Sequence, residues 1–215
     1  MSMPNFKIFK KSEQAQTACF LIGEEENAET IYNMIGDDSL MLISVGGIDW
    51  NRDLSPWKAE KVFKKGEDFG GQAKLLLDYI TGEVIPSVDN LPKKKFIAGY
   101  SLAGLFSLWA CYNTDEFEAF CSCSGSMWFD GFVEYAENNS LFQNVKCGYF
   151  SLGDRESHSK NPRMASVLEC TQKIISILSN LSISCDIIFK LVSGNHFQDA
   201  DKRLADGILS VISRI

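Results

Sequence analysis

The chain carries only two histidines among its 215 residues, His158 and His196, and that scarcity limits any chemistry that needs an imidazole. It has no excess of positive charge, since 21 Lys and Arg stand against 28 Asp and Glu for a net charge of −7. A basic face for nucleic acid is therefore not expected, and neither is a hold on anionic lipid. No apolar run approaches the roughly 18–20 residues that cross a bilayer, so no membrane partner is expected. Met1–Gln14 lacks the apolar stretch of a secretory signal. The seven cysteines are scattered from Cys19 to Cys185 without a C-x-x-C pair. Reduced, buried thiols in a cytoplasmic protein are the expectation. His-rich ligand spacing is missing as well, so the expected site uses no metal and no organic cofactor. No G-x-x-x-x-G-K-S/T or G-x-G-x-x-G follows an apolar run, which removes a phosphate-loop or dinucleotide binder.

What the chain does have is alternation. Short apolar runs at Ala18–Ile22, Leu40–Val45, Phe96–Tyr100, Ala119–Ser124, Lys146–Leu152 and Cys185–Val192 are bounded by Gly, Asn, Asp or Ser, as buried strands are. Segments of 3.6-residue periodicity lie between them, at Ala28–Ile35, at Gln72–Ile85 (stopped by Pro86) and at Leu102–Tyr112. Asn161-Pro162 offers a cap and first-turn proline to a long helix whose apolar stripe is Met164, Val167, Leu168, Ile174, Ile175 and Leu178. Leu204, Ile208, Leu209 and Ile212 give the closing helix its buried face. Strand–helix alternation of this length predicts a three-layer α/β sandwich, a mostly parallel, doubly wound sheet covered on both sides. The last run alternates, with Cys185, Ile187 and Phe189 set against Ser184, Asp186 and Lys190, so it belongs at an edge. No repeat or long linker interrupts the sequence, and one domain over residues 1–215 is expected, with loops too short for a lid domain.

In such a sheet, ligands meet the loops at the C-terminal ends of the strands. After Phe96–Tyr100 comes Gly99-Tyr100-Ser101-Leu102-Ala103-Gly104, leading straight into a helix. A serine squeezed into a strand-to-helix turn needs small residues two positions either side, the logic of the G-x-S-x-G nucleophile elbow, and here Ala103 takes the second of those places. The N–H of Leu102 at the start of that helix can face an oxyanion. The competing assignment is that Ser101 merely caps the helix. His196, in Gly194-Asn195-His196-Phe197 between the final strand and helix, is the base candidate in the chain order such a site requires. His158 lies in a polar loop and reads as solvated or substrate-facing. The acid follows Lys146–Leu152, where Gly153-Asp154-Arg155-Glu156 offers two carboxylates, and spacing favours Glu156 over Asp154. A second oxyanion donor is expected from the loop after Ala18–Ile22, at the backbone N–H of Glu24.

These residues carry a resemblance to the enterochelin-esterase-like branch of the α/β-hydrolase superfamily. The similar stretches are GGIDWNRDLSPW (46–57), AGYSLAG (98–104), SGSMWFDG (124–131), SLGDRE (151–156) and GNHF (194–197), in family order. The resemblance implies cleavage of a carboxylic ester or thioester in a small molecule, with Ser101 as nucleophile, His196 as base and Glu156 or Asp154 as the orienting acid. It also implies an N-terminal shortening, because fuller relatives carry an antiparallel hairpin where this chain has room for one edge strand at Asn5–Lys10. A second copy of the chain covering that edge, a homodimer, is an expectation of that shortening. An acyltransferase using the same serine, and an inactive binding protein on the same fold, are the alternatives. Trp50, Trp128 and Phe197 are expected in the substrate pocket. Arg52 is expected either to clamp an acidic substrate or to tie its own loop to Asp49 or Asp53.

Overall fold

The computed structural model describes residues 4–10, 12–180 and 185–215; Ser184 and parts of the Met1–Gln14 stretch lie outside the described residues. In chain order the strands are β1 (Asn5–Phe9), β2 (Thr17–Ile22), β3 (Leu40–Gly46), β4 (Lys58–Ala59), β5 (Phe69–Gly70), β6 (Lys94–Tyr100), β7 (Ala119–Cys123), β8 (Cys147–Gly153) and β9 (Asp186–Val192). Seven of them form one sheet in the order β1-β3-β2-β6-β7-β8-β9, with β1 antiparallel and every other pairing parallel. β4 and β5 make a separate two-stranded ribbon. Every residue of β2, β3, β7 and β8 is buried, which is why those segments read as unbroken apolar runs. β9 mixes exposed and half-buried positions and lies at the edge, as its alternation predicts.

The period-two geometry of the strands sorts their side chains between two cores. Phe20, Ile22, Ile43, Val45, Ile97, Phe120 and Phe150 point to one face, packed with helix α3 (Ala73–Tyr79), α5 (Leu102–Asn113) and α8 (Val167–Ser179). Cys19, Leu21, Leu42, Phe96, Ala98, Cys121 and Tyr149 point to the other, against α1 (Glu25–Ile35) and α9 (Ala200–Ile212). The three-layer, doubly wound sandwich is thus observed. All seven cysteines are free thiols, and Cys121 and Cys123 share a buried face with their sulfurs 3.8 Å apart. Among the described residues no helix is long and apolar enough to cross a membrane.

Three boundaries differ from the sequence reading. Pro86 does not stop the helix begun at Ala73: a π-turn at Ile80–Val84 widens the coil and the chain stays helical through Ser87. A wider turn relieves the clash between the proline ring and the preceding carbonyls. Asn161 does cap a helix, accepting from the N–H groups of Arg163 and Met164, but that helix is the four-residue α7 (Pro162–Ala165). Ser166 interrupts before α8, so Met164 leaves the stripe of the long helix. On α9, Leu209 is exposed while Val211 is buried, so the buried stripe runs through Arg203, Leu204, Gly207, Ile208 and Val211.

Gly207 lets α9 lie close on the sheet, for a Cβ there would sit 2.6 Å from the Cys121 sulfur and 2.8 Å from the Tyr149 ring. Gly82, in the π-turn, has nothing within 4 Å of such a Cβ. Two glycine-to-alanine changes in helical backbone therefore carry opposite signs. G82A is expected to stabilise the fold by about 0.4–1 kcal/mol through the unfolded chain, and G207A to destabilise it by about 1–3 kcal/mol through overpacking. Urea midpoints of the two variants check both; a shared sign contradicts the packing argument.

Candidate active site

The chain runs outward from β2 to β3, then returns past β2 to build β6 through β9 on the other side. The carboxyl ends of β2 and β6 therefore flank a topological switch point, where an open α/β sheet leaves a crevice. Ser101 stands there, directly after β6 and before α5, with φ 57° and ψ −121°. A non-glycine residue at positive φ is strained, and the surroundings hold it. Its N–H donates to the Cys123 carbonyl at 3.0 Å, and its own carbonyl accepts from the Ser126 N–H at 3.0 Å. Gly99 is required for the same turn, since a Cβ there would lie 2.3 Å from the Ala103 carbonyl oxygen. Ala103 itself is fully buried, so a methyl fits at the second small position.

His196 comes from the loop between β9 and α9, and Glu156 opens the short turn that follows β8. The fold brings both to Ser101. His196 Nε2 lies 3.0 Å from Ser101 Oγ, and His196 Nδ1 lies 2.8 Å from Glu156 Oε2. Glu156 is buried; its other oxygen, Oε1, accepts from Ser124 Oγ and from the Gly153 N–H, both at 2.6 Å, and from Arg203 Nη1 at 3.2 Å. Burial pushes this carboxyl up, but the hydrogen bonds from His196, Ser124 and Gly153 outweigh it and hold the group below the usual glutamate value.

Asp154 is engaged elsewhere. Its Oδ1 accepts from the Gly194 N–H at 2.9 Å, which ties the turn after β8 to the turn after β9, and Arg155 Nε lies 3.9 Å from the same oxygen. Between the two carboxylates, the one in contact with His196 is Glu156. Arg52 ties its own loop: its guanidinium holds Asp53 with two hydrogen bonds, at 2.7 and 2.8 Å. His158 is exposed at the end of the Glu156 turn.

A cavity of about 180 Å³ opens over Ser101 and His196, walled by Leu102, Ser126, Trp50, Trp128, Phe69, Met164 and Phe197. Trp50, Trp128 and Phe197 all line this cavity. Part of the wall went unread in the sequence: Lys61, Val62, Phe63, Gly66 and Glu67, on the connection between β4 and β5, and Met164 of α7. These are short irregular pieces without periodicity. Gly23 and Glu24 line a second hollow, also about 180 Å³, which shares Trp50 with the first and includes Tyr100 and Leu204. Ser124, Tyr100 and Arg203 were missed too, although a charged residue inside the apolar stripe of α9 was a readable signal.

The architecture and the crevice define a protein of the α/β-hydrolase fold, and solved structures agree. An IroE-like serine hydrolase from Shewanella oneidensis superposes with a TM-score of 0.80 at 16% identity, over 97% of this chain and 75% of that one. The siderophore hydrolase EstA from Aspergillus nidulans gives 0.71 at 17% identity, over 94% and 84%. The enterobactin esterase from Shigella flexneri gives 0.69 at 17% identity, over 97% and 55%. At these identities the likeness is one of fold. The family follows from sequence: the family described as "Putative esterase" matches residues 24–169, and the chain belongs to it. The "Uncharacterized protein YbbA" of Bacillus subtilis (strain 168) is 28% identical over 142 residues, a match spanning 63% of this chain and 57% of that protein.

The depressed Glu156 carboxyl links stability to acid. A group lowered in the folded state adds stability that is present above its ordinary value near 4.5 and is lost as pH falls through the folded value. Glu156→Gln should lower the melting temperature at neutral pH and flatten its fall below about pH 4.5. An acid slope left unchanged in a folded Glu156→Gln variant would contradict the assignment of the buried contact to Glu156.

Proposed function

We propose that the chain is a serine esterase, cleaving a small carboxylic ester or thioester through a Ser101–His196–Glu156 triad. The observation that carries this reading is the unbroken relay of 3.0 and 2.8 Å contacts from hydroxyl to imidazole to buried carboxylate at the mouth of an apolar cavity. His196 takes the Ser101 proton as Oγ attacks the ester carbonyl, and returns it to the departing alcohol. Water, deprotonated by the same imidazole, then attacks the acyl-enzyme, and Ser101 recovers its proton as the acid leaves. Glu156 fixes the tautomer with the proton on Nδ1 and stabilises the transient imidazolium without becoming protonated itself.

The oxyanion falls to the Leu102 N–H, one of the free donors at the N-terminus of α5. The Glu24 N–H is the second donor in this reading. Its support is the parallel pairing of Ile22 with Gly99, which ends β2 beside the strand that leads to Ser101. Most of the cavity wall is apolar, with Trp50, Phe63, Phe69, Trp128, Met164 and Phe197 beside Lys61 and Glu67, which favours an acyl or aryl group.

A fluorophosphonate probe, followed by intact and peptide mass spectrometry, tests the nucleophile without choosing a substrate. Wild-type protein is expected to gain one adduct on Ser101, and Ser101→Ala none. His196→Ala should slow labelling by at least about 100-fold, the usual contribution of a general base. A folded wild-type protein that resists the probe would overturn the esterase reading in favour of a binding protein.

A further inference from the structure

Arg203 is a cation with about 5% of its surface exposed, in the first turns of α9, and the esterase mechanism as usually written has no task for it. Its Nη1 lies 3.2 Å from Glu156 Oε1, 3.1 Å from Ser124 Oγ and 3.1 Å from Tyr100 Oη. Its Nη2 donates to the carbonyls of Ser193 at 3.3 Å and Asn195 at 3.1 Å, on the loop that carries His196. One planar group therefore touches the acid and two carbonyls of the loop that presents the base.

A proton count shows why a further donor is needed here. Ser124 Oγ has a single proton and two oxygens in reach, Glu156 Oε1 at 2.6 Å and Tyr100 Oη at 2.9 Å. The carboxylate, charged and nearer, takes it. Tyr100 gives its own proton to the His196 carbonyl at 2.8 Å. Two oxygens 2.9 Å apart are then left with no proton between them, and the guanidinium N–H groups, 3.1 Å from each, offset that repulsion. Burial keeps the Tyr100 phenol neutral, so the buried charges of the network are the Glu156 carboxylate and the Arg203 guanidinium. Other titratable groups near the loop turn away: Asp154 accepts from the Gly194 N–H, Arg155 reaches Gln198, Cys123 donates to the Arg203 carbonyl, and Asp199 is exposed at the start of α9.

We propose that Arg203 is a positioning residue that holds Glu156 and the His196 loop as one unit and balances the carboxylate charge, so that losing it changes both the hold on the imidazole and the charge the imidazole meets. The proposal rests on the triad reading for its catalytic meaning. Its physical content is independent of turnover. A carboxylate alone beside an imidazole favours the imidazolium, and a cation on the carboxylate's far oxygen opposes that.

The test is an NMR titration of the His196 ring in wild-type protein, R203M and R203K, with the two histidine signals assigned through His158→Gln. In R203M the His196 midpoint is expected to rise by about one pH unit, the scale of losing a nearby charge. R203K restores the charge and should return the midpoint toward wild type. It cannot span Glu156 and both loop carbonyls, so its fluorophosphonate labelling should remain at least threefold slower. If R203M does not fold, R203Q, neutral but still a donor to the loop, takes its place with the same expectation. An unchanged or lowered midpoint in a folded neutral variant overturns the proposal, as does a midpoint that R203K fails to restore. Because the titration needs no substrate, an unreactive wild-type serine would remove the esterase reading while leaving this result readable.

Discussion

A buried carboxylate ties the working end of this molecule together. Glu156 gathers donors from the end of β8 (Gly153), from the residue after β7 (Ser124), from α9 (Arg203) and from the loop after β9 (His196). Tyr100, closing β6, joins through Ser124 and the His196 carbonyl. Four parallel strands thus end in one hydrogen-bonded cluster, adjacent to the strained Ser101. A charge buried in this way is tolerable only when its lone pairs are filled, and here each oxygen has its partners. Removing any one donor leaves a desolvated group unpaired, which is why such a network specifies one geometry rather than many.

The sheet makes the cluster possible. Parallel strands end at the same side, so residues distant in the chain arrive within a few ångströms of each other without any long excursion of loop. α9 supplies its arginine only because Gly207, one turn further on, lets the helix lie against Cys121 and Tyr149. The strain at Ser101 has a similar dependence on packing, since Gly99 and Ala103 share the space a larger pair could not enter. Core packing and site geometry are one arrangement here, seen from its two ends.

The apolar cavity and the polar cluster meet at His196. One side of the ring faces solvent-accessible aromatic walls, with Phe197 edge-on at 5.2 Å; the other meets Tyr100, at 5.5 Å, and the buried network. In the proposed mechanism an imidazole placed between an apolar cavity and a charged interior passes a proton outward while its own charge is stabilised from behind. Part of the wall comes from the connection between β4 and β5 and from the short α7, pieces with little structure of their own that the scaffold holds in place.

The order of apolar runs was enough to read the layers, the parallel sheet and its last edge, because burial on both faces leaves unbroken hydrophobic segments. Ser101 and His196 were legible for a different reason: a strand-to-helix turn admits small residues at fixed offsets, and only two histidines compete for the base. The choice between Asp154 and Glu156 was not decisive from spacing, since two carboxylates two residues apart differ in direction, and direction is set by the turn after β8. Arg52 and Arg203 exchange the importance their neighbourhoods suggest. The first, among motif residues, is bound by the adjacent Asp53; the second, unremarked in a helix, lies buried on Glu156. One-dimensional patterns record which side of an element is apolar. Which polar groups meet across the layers depends on register, helix approach and the filling of each lone pair, and those exist only once the chain has closed on itself.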